Sequence, residues 1–198
     1  MNHPLRCLCG SIQGHVDAQH SASRAVCYCR DCQAFARFLG RQGEILNGQG
    51  GTEIIATLPR CVHFDEGKDS LACMSLGEKG MLRWYAACCR TPIGNTPRDR
   101  KTAYVGLVST CLTRSGTSLE ESFGPLKIVL NTDSARGKVA PTPAATFFGI
   151  LKIVKNVSGA RLSGRYKDNP FFSPASGRPI KEPRSLTPAE REALDDIA

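Results

Sequence analysis

The sequence lacks any long hydrophobic run. Its longest apolar stretch, residues 144–151, is broken by Lys152 and falls short of the roughly 20 residues a membrane span needs, so no transmembrane segment is expected. Histidine is scarce: His3, His15, His20 and His63 stand apart, without the paired histidines of a Cys2His2 finger. Met1-Asn2-His3-Pro4 leads straight into Arg6 and the first cysteines, without the charged and apolar regions of a secretion signal. No internal repeat is visible. Secreted, membrane-spanning and fibrous classes are set aside by these absences, and a cytoplasmic protein is expected.

What is present is an ordinary globular composition, with 41% apolar and 22% charged residues in a chain of 198. That length suits one domain with an appendage. Ten cysteines are too few for a disulfide miniprotein and too clustered for casual core use. In a reducing compartment they point to metal or redox chemistry. The net charge of +8 is unevenly spread: between Arg136 and Arg184, ten Lys and Arg face only Asp168 and Glu182, and the remainder balances. Seven thiolates around two zinc ions would bring the total nearer +5, which weakens any argument from charge to nucleic acid.

Short strands are predicted over 10–16, 53–57, 61–64, 71–75, 81–86, 103–109 and 126–130, separated by turns such as Gly48-Gln49-Gly50-Gly51 and Asp65-Glu66-Gly67. This spacing indicates an antiparallel β domain, placed at residues 1–132, with one helix over 31–39 closed by Gly40. Residues 133–198 read as a basic, proline-rich extension with two short helices. Thr142-Pro143 marks the N-cap and first position of one helix, running to about 157 and stopping near Gly159. Its Phe147, Ile150, Leu151 and Val154 share a face, flanked by Lys152 and Lys155, as in a helix on a membrane surface. Packing of that stripe on the β domain is the expectation, because surface helices usually bury such a face. Residues 169–184 read as extended, and Thr187-Pro188-Ala189-Glu190 spells a capping box for the last helix.

Seven cysteines form three clusters: Cys7-Leu8-Cys9-Gly10, Cys27-Tyr28-Cys29-Arg30-Asp31-Cys32, and Cys88-Cys89. A Cys-x-Cys pair on an extended segment puts both sulfurs on one side, where they can converge on one metal ion. Cys27, Cys29 and Cys32 offer three thiolates from six residues and leave a fourth tetrahedral position open. Soft thiolates without a nearby carboxylate or histidine pattern favour zinc over magnesium, calcium or manganese. A thiol-redox role is disfavoured because Cys29-Arg30-Asp31-Cys32 lacks a βαβ context. Cys61, Cys73 and Cys111 stand alone in apolar segments and read as buried, inert thiols.

The order CLCGSI, CYCRDC and RWYAACCRTPIGN resembles the glutathione-dependent formaldehyde-activating enzyme family, whose fold is of the mainly β, Mss4-like type. The resemblance covers roughly residues 5–130. It implies a closed structural zinc bound through Cys7, Cys9 and Cys89, and a second, open zinc on Cys27, Cys29 and Cys32. Two departures qualify it. Ala86 takes the place of the first cysteine of the third motif and Arg90 that of its glycine, so the closed site lacks a ligand; Tyr28 replaces the histidine of the middle motif. Three completions stay open: Cys88 and Cys89 both ligate, which is the expectation, or an outside residue joins, or this zinc is absent. The scattered histidines are remote candidates for that outside ligand.

By this resemblance the chain acts on, or binds, a glutathione adduct such as S-hydroxymethylglutathione, as a zinc-dependent carbon–sulfur lyase. The chemistry is coherent, because zinc with three thiolates carries net −1 and suits an incoming thiol better than water. Arg30, Arg41, Arg83 and Arg90 lie near the motifs and match the carboxylates of glutathione, but none is assigned. The alternative is a non-catalytic zinc module that binds a small thiol or a protein partner. Nucleic acid is a less favoured partner, although Phe147, Phe148, Tyr166, Phe171 and Phe172 lie among the basic residues of the C-terminal third.

Overall fold

The computed structural model describes residues 2–18 and 23–195. Strands β1 (Asn2–Arg6), β2 (Gln13–Asp17) and β5 (Val62–Glu66) form a small antiparallel sheet in the order β1-β2-β5. A larger sheet is built from β3 (Ser23–Cys27), β4 (Thr52–Thr57), β6 (Leu71–Ser75), β7 (Leu82–Ala86), β8 (Pro92–Thr96), β9 (Val105–Val108), β10 (Ile128–Leu130) and β11 (Arg184–Ser185). Its order is β10-β3-β4-β9-β8-β7-β6-β11. The inner pairs are antiparallel, as the spacing of short strands predicts. The two outermost strands, β10 and β11, run parallel to β3 and β6, so the sheet is mixed. Each reaches its partner by a long crossover, which permits the parallel sense that a hairpin forbids.

The helices are α1 (Arg30–Phe38), α2 (Gln42–Ile45), α3 (Leu119–Phe123), α4 (Pro143–Leu162) and α5 (Pro188–Asp195). Strands β1, β3 and β8 escape the pattern search for a local reason. β8 reads Pro-Ile-Gly-Asn-Thr, a poor strand by propensity, yet all five residues are buried between β7 and β9. Gly94 fits there because a side chain would press on the Gly106 carbonyl across the pair. Tertiary pairing outweighs propensity.

The main core is centred on Trp84, whose indole N–H donates to Thr96 Oγ1 at 2.9 Å. Phe171, from the C-terminal third, is fully buried with its ring 5.1 Å from that of Trp84, and Phe172 joins the same core. Neither ring is therefore available to stack on a base. Burying one such side chain contributes roughly 1.5–3 kcal/mol. Cys61, Cys73 and Cys111 are buried apart from both cysteine clusters, and burial pushes the thiols of Cys73 and Cys111 up to about 12.

Helix α4 departs from expectation in three ways. It runs on through Gly159 to Leu162 and ends before Gly164, which takes a left-handed φ of 74°. Thr142 sits at the N-cap, but its hydroxyl accepts from the Val129 N–H at 2.9 Å instead of from the helix. Most consequentially, the stripe of Phe147, Ile150, Leu151 and Val154 faces outward. The helix packs through the opposite side, with Gly149 and Ala160 buried. Gly149 brings the helix close to β10, where a Cβ would displace Ile128 Cδ1. The last helix follows its signature: the Thr187 N–H donates to Glu190 Oε2 at 2.8 Å, and the Glu190 N–H to Thr187 Oγ1 at 3.3 Å.

Candidate metal centre

Two groups of cysteine sulfurs converge, each with all its Sγ atoms within 4.8 Å of one another. Sulfurs bound to one tetrahedral ion at about 2.3 Å stand about 3.8 Å apart, so both groups are of a size to hold a metal. The first unites Cys7, Cys9, Cys88 and Cys89, with Cys9 and Cys88 standing 79 residues apart in the chain. Cys9 Sγ lies 3.6 Å from Cys7 Sγ and 3.2 Å from Cys88 Sγ, and Cys88 Sγ lies 3.8 Å from Cys89 Sγ.

Both halves of this group are turns that aim sulfur. Between β1 and β2, the Gly10 N–H donates to the Cys7 carbonyl at 3.0 Å, with Gly10 in the left-handed region at φ 79°. The Ile12 N–H donates to Cys7 Sγ at 3.2 Å. Between β7 and β8, the Arg90 N–H donates to the Ala86 carbonyl at 2.8 Å, and the Ala86 N–H to that of Thr91 at 2.9 Å. Arg90 itself adopts φ 55°. This bend lets the neighbouring Cys88 and Cys89 join one group, which an extended chain would forbid. Thr91 ties the halves together: its Oγ1 accepts from the Leu8 N–H at 2.9 Å and lies 3.1 Å from Cys89 Sγ, to which its remaining hydrogen can point. The Ser11 hydroxyl and backbone N–H draw the Cys9 thiol down to about 6.

The second group is Cys27, Cys29 and Cys32. Cys27 ends β3, Cys29 occupies the N-cap of α1, and Cys32 lies in the first turn of α1. The Cys32 N–H donates to Cys29 Sγ at 3.4 Å, so the cap is made by sulfur where an oxygen is usual. Free N–H groups and the helix dipole favour thiolate there. Hydrogen bonds from the Cys29 and Cys32 thiols pull Cys27 down to about 2, and the same bonds to Cys27, aided by burial, raise Cys29 and Cys32. A bound cation would favour the thiolate form at all three sulfurs.

Residues outside the motifs complete this second group. Asn131, 104 positions on and left-handed at φ 57°, donates from Nδ2 to Cys27 Sγ at 3.2 Å. It follows β10, whose parallel register sets Leu130 against Cys27. An Asn directly after a strand is a turn signal that could have flagged it. Arg83 is 3% exposed, pairs with Asp31 at 3.5 Å, donates to Asn95 Oδ1 at 3.2 Å and lies over the Phe35 ring. Its positive charge favours the thiolate of Cys32. Burial, then the charges on Cys32 and Cys27, push the Tyr104 phenol up to about 12, so it stays protonated.

The remaining sequence candidates find other roles. Arg83 is enclosed, and Arg41 binds Glu44 at 2.6 Å and the Cys89 carbonyl at 3.4 Å. Tyr28 is buried, with its hydroxyl accepting from Asn47 Nδ2 at 3.2 Å. Among the described residues no histidine or carboxylate joins either sulfur group. The two ring nitrogens of His3 are engaged by Ser122 Oγ and the Leu112 carbonyl, while His15 stacks on His63. His20 lies outside the described residues. Beside the three-cysteine group, Arg30, Gln33, Arg37, Asp133, Ser134 and Asp195 line a cleft of about 440 Å³.

Fold and site together define a mainly β protein with two cysteine clusters that could each hold a metal ion, and with no helix long and apolar enough to cross a membrane among the described residues. Residues 1–183 match the family described as "Family of unknown function (DUF6151)", and the chain belongs to that family. No curated protein matches it. A crystal structure of a Rhodobacter sphaeroides protein is similar over 65% of this chain and 99% of its own, with 16% identity and a TM-score of 0.44.

Proposed function

We propose that the chain holds zinc in both groups: a closed, structural ion on Cys7, Cys9, Cys88 and Cys89, and an open one on Cys27, Cys29 and Cys32 that receives a small thiol of the glutathione type. On this reading it is an Mss4-like protein that makes or breaks the carbon–sulfur bond of an adduct such as S-hydroxymethylglutathione, in a reducing compartment such as the cytoplasm. The observation that carries the proposal is the convergence of three sulfurs at the N-terminus of α1, with no fourth protein ligand among the described residues.

Zinc, when bound, supplies the Lewis acidity that favours a deprotonated thiol over a protonated one. The chain supplies the setting. Asn131 and the Cys32 N–H direct hydrogen bonds at Cys27 and Cys29, which holds those sulfurs in place. Arg83, nearly sealed from water, offsets the surplus negative charge of three thiolates. Arg30 and Arg37 line a cleft along α1 together with Asp133 and Asp195, which offers partners to both the carboxylates and the ammonium group of a glutathione-type ligand. In the adduct-forming direction the thiol sulfur bonds to the aldehyde carbon, and the thiol proton ends on the aldehyde oxygen.

Elemental analysis together with calorimetry tests this reading. Two zinc ions per chain are expected, falling to one in Cys29→Ser, and wild type but not the variant binds glutathione at millimolar concentration. Full zinc occupancy without glutathione binding refutes the substrate class. The burial of Tyr28 against Asn47 favours a second reading, a binding module without catalysis, because the position of the resembled family's histidine then offers no group for moving protons. Turnover of formaldehyde and glutathione above the spontaneous rate, abolished by Cys29→Ser, separates the two.

A further inference from the structure

Six of the nine large hydrophobic side chains most exposed among the described residues lie on one helix: Phe147, Phe148, Ile150, Leu151, Val154 and Leu162 of α4. Phe147 is 63% exposed and Phe148 67%. Single exposed apolar residues are ordinary, but a contiguous patch marks a binding surface. At 100° per residue these side chains span the side of α4 opposite to Gly149 and Ala160, which hold the helix on the protein. The helix is thus apolar on both sides, one of them spent on the fold and the other open.

The chemistry around the open side selects its partner. Helix α4 carries Lys152, Lys155 and Arg161 and no acidic residue. Across residues 125–167, eight Lys and Arg stand against Asp133 alone, a local charge of +7. A second copy of the chain would bring the same positive charge to a self-complementary interface, which opposes pairing. A groove of about 310 Å³ beside the patch is apolar along Phe123, Pro125, Ile128 and Phe148, with Lys127 and Lys152 at its walls. An apolar wall with lysines beside it suits an acyl chain below an anionic headgroup, the lysine stems reaching along the apolar side. The helix is too polar to cross a bilayer; it has the makeup of one that lies in the interface.

We propose that α4 docks the protein on an anionic phospholipid surface, with Phe147, Leu151 and Val154 entering the headgroup–acyl boundary and the surrounding lysines meeting lipid phosphates. This inference does not depend on the zinc-thiol reading. The first turn of α4 borders the small core that includes Cys27 and Cys32, since Ala145 packs against it.

Flotation of the full chain with phosphatidylcholine vesicles, with and without about one-third phosphatidylserine, is the test. Binding to the anionic vesicles only is expected. Lys155→Ala should weaken it about fivefold, and the double substitution Phe147→Ser with Leu151→Ser by about tenfold or more. The substituted side chains are exposed, so unchanged circular dichroism should accompany the loss. Absence of binding by folded wild type, or binding unaltered by the double substitution, overturns the proposal. So does a dimer in sedimentation that the double substitution dissolves while vesicles stay bare, which would assign the face to a second copy.

Discussion

Cys88→Ala is the sharpest perturbation of the proposed closed site. Cys88 Sγ stands 3.2 Å from Cys9 Sγ and 3.8 Å from Cys89 Sγ, at the exposed rim of its group. A structural zinc contributes about 10–16 kcal/mol of apparent binding energy, so one ligand in four accounts for about 3 kcal/mol, or roughly a hundredfold in zinc affinity. For a chain of this size each kcal/mol moves the melting temperature by about 2–4 °C. Cys88→Ala should therefore give up one zinc ion per chain to a chelator concentration that leaves wild type loaded, and melt about 6–12 °C lower than zinc-loaded wild type. After chelation the two proteins should melt together, because an exposed thiol without a metal packs against little. The assay is elemental analysis beside calorimetric melting, each with and without chelator. Zinc held as firmly by the variant as by wild type, or a melting difference between the two proteins that persists undiminished after chelation, would refute the assignment.

Three further outcomes follow from particular contacts. Arg83→Met removes a buried cation and leaves Asn95 Oδ1 without its donor, and should cost about 2–4 kcal/mol in urea unfolding while weakening zinc at the three-cysteine group. Arg90→Gly relieves a left-handed side-chain residue at φ 55° and should stabilise the fold by about 0.5–1 kcal/mol with unchanged zinc content; a loss of stability would mean that the Arg90 side chain matters to the bend. The Thr187 N–H, the Arg184 guanidinium and the Thr187 hydroxyl hold Glu190 below its ordinary range. A depressed carboxyl stabilises above its unfolded pKa and loses that contribution as pH falls through the folded one. The protection of the Thr187 amide, relative to its intrinsic exchange rate at each pH, should therefore fall on acidification through that range, and Glu190→Gln should remove that fall.

How much could be read in advance depended on the distance over which each feature is decided. The capping box at Thr187 and Glu190, helix α1, and most of the short strands are set by neighbours a few residues apart, and they appear where the pattern puts them. The mixed sheet and the outward turn of α4 are decided by contacts beyond the local pattern, and β8 by its burial between the strands on either side of it. A helix with apolar residues on both sides has no periodicity that says which side is buried. The packing of Gly149 and Ala160 on the rest of the protein resolves that choice.

The same division runs through the candidate metal centre. Spacing alone gathers Cys27, Cys29 and Cys32, because three sulfurs within six residues and a helix start cannot stray far from one another. The joining of Cys7 and Cys9 to both Cys88 and Cys89 across some 80 residues waited on the bend at Arg90. The donation from Asn131 waited on a parallel strand pairing, and the cation of Arg83 on the packing of β7 beneath α1. Sequence by itself settled the chemistry on offer, soft sulfur in clusters on a mainly β chain. The folded structure decided which sulfurs meet and what surrounds them, because contacts between distant segments depend on how the whole core closes.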